Sequence, residues 1–210
     1  MPGDPVSLLS ENNMVKKLDQ YNIVICGVGG QGLITLTKIL AKAALLEDYE
    51  ARTSELHGLS QRGGSVETHI RFGQKIYSPL VREGGVNLVI AIETQEALRA
   101  CHYASKKAGS IFLINEFSAP IVGQKLISLK TVSANIKKFS KEIIIVPATE
   151  VSKKELGNPV LAGIYLLSLA TFKGLIPLKP VTVLKAIKEI VPAKHFDLNK
   201  KTFELAKKYA

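Results

Sequence analysis

Tryptophan is absent and cysteine nearly so: Cys26 and Cys101 are the two thiols in 210 residues. Two cysteines without a Cys-x-x-Cys spacing exclude a disulfide framework, a zinc ribbon and an iron–sulfur cluster held by this chain alone. Such sparing use of cysteine suits a reducing compartment, so a cytoplasmic location is expected. No run of about 18 apolar residues occurs, so neither a membrane-spanning helix nor a membrane partner is expected. The first residues, MPGDPVSLLSENNMVKK, lack a basic start followed by an apolar run, so no secretion signal is expected. Arginine is sparse, five of 28 basic residues, and aromatics make up 6%. Base readout draws on clustered arginine, and single-strand binding draws on interleaved aromatics. The net charge of +10 therefore reads as a lysine-rich solvated surface, with no nucleic-acid partner expected.

What is present is an ordinary globular composition, 46% hydrophobic and 22% charged, enough for one core. Residues 1–20 read as a flexible leader and 21–210 as a single α/β domain. Asn22-Ile-Val-Ile-Cys-Gly27 reads as a buried strand. Leu33 to Leu46 carries Leu33, Leu36, Leu40, Ala43 and Ala44 at helical spacing. Tyr49 to Glu55 reads as a second strand, so the opening is a βαβ unit with parallel pairing. Ser65 to Phe72 alternates, with Val66, Thr68, Ile70 and Phe72 on one face and Ser65, Glu67, His69 and Arg71 on the other. The turn Gly73-Gln74 predicts a hairpin with Lys75 to Tyr77, and Tyr77 to Val81 extends its apolar face as an interface arm. Oligomer or heteromer formation follows from that arm.

Val86 to Ile92, Ser110 to Asn115 and Ile143 to Val146 read as further buried strands, and Thr94 to Lys107 as a helix. Asn158-Pro159 has the chemistry of a cap and a first helical residue, opening an apolar helix to about Phe172. Val183 to Val191 and Lys200 to Tyr209 read as closing helices. The fold class is α/β: a Rossmann-like, mostly parallel sheet flanked by helices, with an inserted β-hairpin.

Two loops carry candidate chemistry. Gly27-Val28-Gly29-Gly30-Gln31-Gly32 satisfies G-x-G-x-x-G between a strand and a helix. Glycine there tolerates positive φ and lets an anion approach the amides of the helix N-terminus. The competing reading of the same residues is a tight strand-to-helix turn with no ligand. A dinucleotide site also needs an acid about 20 residues on. Glu50 and Glu55 bracket that spot, and Arg52 between them is an alternative phosphate ligand. The second loop, Ser60-Gln61-Arg62-Gly63-Gly64-Ser65, lies past the second strand on the carboxyl side of the sheet. Arg62 offers a bidentate fork to phosphate or carboxylate, and the paired glycines bare backbone N–H groups.

Gly58-Leu-Ser-Gln-Arg62 misses the nucleophile elbow because glycine falls one residue late, so hydrolase chemistry is not expected. No catalytic residue is assigned. His57 reads as an exposed loop histidine, and His69, on the polar face of its strand, as a surface or interface residue. His102 and His195 have no metal-spaced companions. Cys26 reads as a small buried hydrophobe. Glu93 faces the crevice or caps the next helix.

With both loops placed, the chain resembles the gamma-type subunits of 2-oxoacid:ferredoxin oxidoreductases, and among them the indolepyruvate branch. The resemblance rests on Gly27-Val-Gly-Gly-Gln-Gly32 and Gly58-Leu-Ser-Gln-Arg-Gly-Gly-Ser65. Val66-Glu-Thr-His-Ile-Arg-Phe-Gly73, Gly157-Asn-Pro159 and Gly174-Leu-Ile-Pro177-Leu add to it. It spans about residues 21–207.

The resemblance implies oxidative decarboxylation of a 2-oxoacid, indolepyruvate or pyruvate among the candidates, to an acyl-CoA with reduction of ferredoxin. Thiamine pyrophosphate, the iron–sulfur clusters and CoA then belong to the complex, and none is held by this chain alone. Its partners are a thiamine-binding oxidoreductase subunit and, through the complex, ferredoxin. Gly27, Gly29, Gly30, Gln31 and Gly32, with Ser60, Gln61, Arg62, Gly63 and Gly64, are the expected contacts to a cofactor or to that partner. The isolated chain is expected to be inactive. Two other classes compete: a free-standing NAD(P)-binding Rossmann dehydrogenase, and a nucleotide- or CoA-binding module without chemistry of its own.

Overall fold

The computed structural model describes residues 18–58, 63–119 and 126–210. Six strands form one mixed sheet: β1 Gln20–Val28, β2 Glu50–His57, β3 Ser65–Gly73, β4 Leu88–Ala91, β5 Ile111–Asn115 and β6 Glu142–Val146, in the order β2-β3-β1-β4-β5-β6. The helices are α1 Leu33–Leu46, α2 Leu129–Ile136, α3 Ala148–Leu156, α4 Ala162–Phe172, α5 Pro180–Ile190 and α6 Ala193–Lys207. A 3-10 helix, Glu96–Tyr103, follows β4.

The expected βαβ opening is corrected in one respect. β1 and β2 do run the same way, but they do not pair. β3 lies between them, antiparallel to both. Composition explains the choice. A strand buried on both faces reads as a continuous apolar run. β2, Glu-Ala-Arg-Thr-Ser-Glu-Leu-His, is mostly exposed and takes the edge. β3 matches β1 over nine residue pairs, Gln20 with Gly73 through Val28 with Ser65. β1, β4, β5 and β6 pair in parallel.

The inserted hairpin is therefore β2–β3. The predicted hairpin of Ser65–Phe72 with Lys75–Tyr77 does not form, because β3 already has strands on both edges. Gly73 closes β3 against the chain before β1: a Cβ there would lie 2.3 Å from the Asp19 carbonyl oxygen. The Gln74 amide donates to that same oxygen.

Past Gly73 the chain becomes an irregular strap, residues 74–86, across one face of the sheet. The polar face of β3 fastens it. The Arg71 Nη1 donates to the carbonyls of Ser78 (2.6 Å) and Leu80 (3.2 Å). His69 Nδ1 accepts from the Val81 amide at 3.0 Å. From β2, Arg52 Nε donates to the Ile76 carbonyl and Glu50 Oε2 accepts the Ile76 amide. His69 is thus fully buried, not a surface residue as expected. Because an amide N–H can only donate, Nδ1 carries no hydrogen, and Nε2 donates to Glu67 Oε1 at 2.8 Å. The Tyr103 ring packs edge-on against His69, and burial together with Glu67 pushes its phenol up to about 12.

The two faces of the sheet bury separate apolar clusters. On one, Ile23, Ile25, Ile70 and Phe72 pack under α1, α4, α5 and α6. On the other, Val24, Cys26, Val89 and Phe112 pack against the 3-10 helix and α2. α4 is buried over ten consecutive residues, Ala162 to Thr171. Gly163 allows its close approach to α1, since a Cβ there would stand 2.9 Å from Leu36 Cδ1.

Other boundaries differ in detail. β1 starts at Gln20, inside the expected leader. The helix expected over 94–107 is the shorter 3-10 turn, with Glu93 Oε2 accepting the amides of Gln95 and Glu96 as its cap. α2 and α3 had no reading from periodicity; Ser128 caps the first and Gly157, at φ 67, ends the second. Asn158 does cap as expected, accepting the Val160 amide at 3.0 Å. No helix among the described residues is long and apolar enough to cross a membrane.

Two outcomes follow. Gly73→Ala drives a methyl group into fixed backbone and destabilises the fold by about 1–3 kcal/mol in denaturant titration. Burial pushes the Cys26 thiol well up and Cys101 up to about 11. Both thiols then react far more slowly than a free thiol at pH 8 in a thiol-reagent assay, and Cys26 only on unfolding.

Candidate functional site at the carboxyl edge of the sheet

β1 ends at Val28, and the chain turns into α1 through the glycine loop. Gln31 braces this turn. Its Oε1 accepts the Val28 amide at 2.8 Å, and its own amide donates to the Val28 carbonyl at 3.2 Å. Gly27 makes room for the brace, since a Cβ there would stand 2.6 Å from that Oε1. Gly30 and Gly32 adopt φ 100 and φ 79. A Cβ on either would meet nothing within 4 Å, so both border open space.

The second loop comes directly alongside. The Gly29 amide donates to the Gly64 carbonyl at 2.9 Å, and the Gly63 amide reaches back to the Gly29 carbonyl at 3.5 Å. The structure thus brings together Gly27, Gly29, Gly30, Gln31, Gly32, Gly63 and Gly64. Ser60, Gln61 and Arg62 lie outside the described residues. The amides of Gly29 and Gly63 serve the contact between the loops, and the Gln31 side chain serves its own turn.

The donors that face outward belong to α1. Gly32 is its N-cap and offers no side-chain cap, and the first turn holds no acidic residue. Its first amides lack intrahelical partners and carry the positive end of the helix dipole. They border a cleft of about 510 Å³ lined by Gly30, Gly32, Ile34, Thr35, Glu55 and His57. Glu55 is thus near the loop, as a ribose acid would be. Glu50 and Arg52 are not, because both fasten the strap at the opposite end of β2.

A second cleft, about 420 Å³, opens beside the first and shares His57 and Val66 with it. Its character is acidic. Ser65 Oγ donates to Glu96 Oε1 at 2.9 Å, Arg99 Nε lies 3.1 Å from Glu96 Oε2, and Glu67 stands in the same wall. Burial holds the Glu96 carboxyl above its ordinary value. Sequence reasoning missed Glu96 and Arg99. Their i, i+3 spacing was the available signal, and it is too common to single out a site. Beyond the glycine turn a smaller, mostly apolar groove of about 250 Å³ runs past Thr35, Asn158, Val160 and His195. Among the described residues no group of three or more His, Cys, Asp or Glu is placed to hold a metal ion.

This edge offers anion binding by backbone amides next to an acidic recess. Comparison with known proteins agrees with an oxidoreductase subunit. The family model described as pyruvate ferredoxin/flavodoxin oxidoreductase matches residues 22–209. The indolepyruvate oxidoreductase subunit IorB of Thermococcus kodakarensis is 35% identical over 199 residues, 92% of this chain and 97% of that one. In structure the chain is similar to the gamma subunit of a keto/oxoacid ferredoxin oxidoreductase from Geobacter sulfurreducens, with a TM-score of 0.65 at 20% identity, covering 90% and 96% of the two chains. The fold also recurs in 2-oxoglutarate:ferredoxin oxidoreductase from Magnetococcus marinus, solved with 2-oxoglutarate, coenzyme A and succinyl-CoA bound. There the TM-score is 0.66 at 14% identity, over 90% of this chain and 31% of that one. These likenesses favour a subunit over a free-standing NAD(P)-binding dehydrogenase. The chain belongs to the pyruvate ferredoxin/flavodoxin oxidoreductase family, as a small subunit of the 2-oxoacid:ferredoxin oxidoreductase type.

Proposed function

We propose that this chain joins a thiamine-bearing subunit and supplies the anion-binding edge that receives coenzyme A as an oxoacid is decarboxylated. The name of the similar IorB subunit favours indolepyruvate, an aryl 2-oxoacid, as substrate. The observation that carries this reading is the uncapped, acid-free N-terminus of α1 facing a cleft, with two glycine loops tied together beside it.

The residues present fit a diphosphate group. Gly30 and Gly32 leave open space where side chains would intrude, so the amides at the start of α1 can approach phosphate oxygens directly. The amides of Gly32, Leu33 and Ile34 would hold the diphosphate, and coenzyme A supplies the thiol that takes up the acyl group. Gln31 keeps the loop shaped for this, and the Gly29–Gly64 bond holds Gly63 and Gly64 on the same side. An iron–sulfur cluster does not fit this chain, because Cys26 is buried in the core and Cys101 is its one possible companion. Electron transfer then runs through partner chains, ferredoxin being the final acceptor, and the isolated chain has no turnover.

Two measurements test the reading. Complex reconstituted without this chain loses oxoacid- and coenzyme A-dependent ferredoxin reduction; equal turnover with and without it overturns the proposal. Ile34→Asp places a carboxylate in the first turn of α1. It raises the KM for coenzyme A about tenfold, while the melting temperature stays level or rises, because an acid at a helix N-terminus stabilises the helix. An unchanged KM removes this cleft as the coenzyme A site.

A further inference from the structure

The strap between β3 and β4 holds an irregular chain in one shape and displays an apolar tip. Ile76 and Val81 point inward, 1% and 4% exposed. Their backbone groups are taken by Arg52, Glu50 and His69. Between these anchors Tyr77 is 81% exposed and Leu80 46%, with Pro79 half-buried beside them. Arg71 beneath holds the Ser78 and Leu80 carbonyls, so the tip cannot fold its apolar side chains back without breaking both bonds. The sheet places the strap's beginning, next to Gly73, at the end of β3 away from the glycine loops.

Around the tip three basic side chains, Lys75, Arg71 and Arg82, outnumber two carboxylates, Glu50 and Glu83. Lys75 Nζ stands 5.1 Å from the centre of the Tyr77 ring. Burial first, and Arg82 nearby second, hold the Arg71 guanidinium below its ordinary value. Glu83 is exposed on the same segment. Glu50 is engaged with the Ile76 amide.

We propose that the strap tip, Tyr77-Ser-Pro-Leu80, is the surface by which this chain docks onto its thiamine-bearing partner subunit, seated in an apolar recess with an acidic rim. The inference rests on the subunit reading above. An exposed tyrosine with arginine nearby is the composition of an interface hot spot, and Lys75 suits its polar rim. Because five bonds from β2 and β3 side chains already fix the backbone of residues 76–81, docking costs little ordering entropy. A second copy of this chain is the poorer occupant. Across a two-fold axis through the tip, the cluster of Lys75, Arg71 and Arg82 would face the same cluster, and like charges at an interface oppose association. An acidic rim on a different subunit reverses that sign, and it suits a chain with a net charge of +10.

The test uses the full chain titrated against the thiamine-bearing subunit purified from co-expression. Tyr77→Asp with Leu80→Asp weakens the heteromer at least about tenfold. Arg82→Glu weakens it at low salt, by a factor that shrinks as salt rises. Val181→Asp, at a 71% exposed position on α5, leaves it unchanged. Circular dichroism melts of all three match the parent. Unaltered affinity of the Tyr77/Leu80 variant, with the parent still binding, overturns this surface and leaves the subunit reading standing. Loss of self-association alone, seen by light scattering, also overturns it by assigning the tip to a homomeric contact. If the parent chain does not bind the thiamine subunit at all, the subunit reading falls and this inference with it.

Discussion

The antiparallel pairing of β1 with β3 sets the position of every other feature of this chain. Its register runs for nine residue pairs without a break, and each end delivers something. At one end Val28 opposes Ser65, so the chain that follows β1 and the chain that precedes β3 must meet. The Gly29–Gly64 hydrogen bond is the next rung of that ladder. At the other end Gln20 opposes Gly73, and the crowding of Asp19 against Gly73 sends the chain off the sheet into the strap. A register slip of one residue would turn Ile70 and Phe72 out of the core and bury Arg71 under α1, which makes the pairing strongly specified.

β3 also shows why a polar face need not mean a solvent face. Its alternation is clear in the sequence, and the apolar set Ile70 and Phe72 does enter the core. The other set, Glu67, His69 and Arg71, reads as exposed by pattern alone. It is covered because an irregular strap has main-chain donors and acceptors to satisfy, and these three side chains satisfy them or support the ones that do. The cost of burying a histidine is met by two partners, the Val81 amide and the Glu67 carboxylate. Periodicity can show which residues share a face; it carries no information about what lies over that face.

Much else was legible for the same reason it was reliable. Ile23 to Cys26, Leu88 to Ala91 and Ile111 to Ile114 are short apolar runs bounded by polar or glycine residues, and they are the central parallel strands. α1 announced itself through Leu33, Leu36, Leu40, Ala43 and Ala44. The glycine loop and its position before a helix were likewise visible, and the structure puts Gly63 and Gly64 beside it. Pairing order was not legible, because the choice between β1–β2 and β1–β3 contacts depends on which strand tolerates burial on both faces. α3 was hidden by its composition, Ala-Thr-Glu-Val-Ser-Lys-Lys-Glu-Leu, which buries only Ala148 and Ser152. The acidic recess was hidden because Ser65 and Glu67 come from β3 and Glu96 from the 3-10 helix, 29 residues further along the chain than Glu67.

The two ends of β3 divide the labour of a small subunit in a way that its size demands. A chain whose Cys26 is buried and whose described residues hold no metal-binding cluster is suited to holding things in place. The carboxyl edge presents amides that would hold an anion with a fixed partial charge, in a geometry set by the β1–β3 ladder. The strap, at the far end of the same ladder, holds a fixed apolar tip in a basic surround. Because one rigid strand spans both, a partner seated on the strap and a ligand seated on the amides keep a constant separation. Affinity at either place is then expressed as position at the other, which is how binding energy remote from the reacting atoms becomes useful to catalysis.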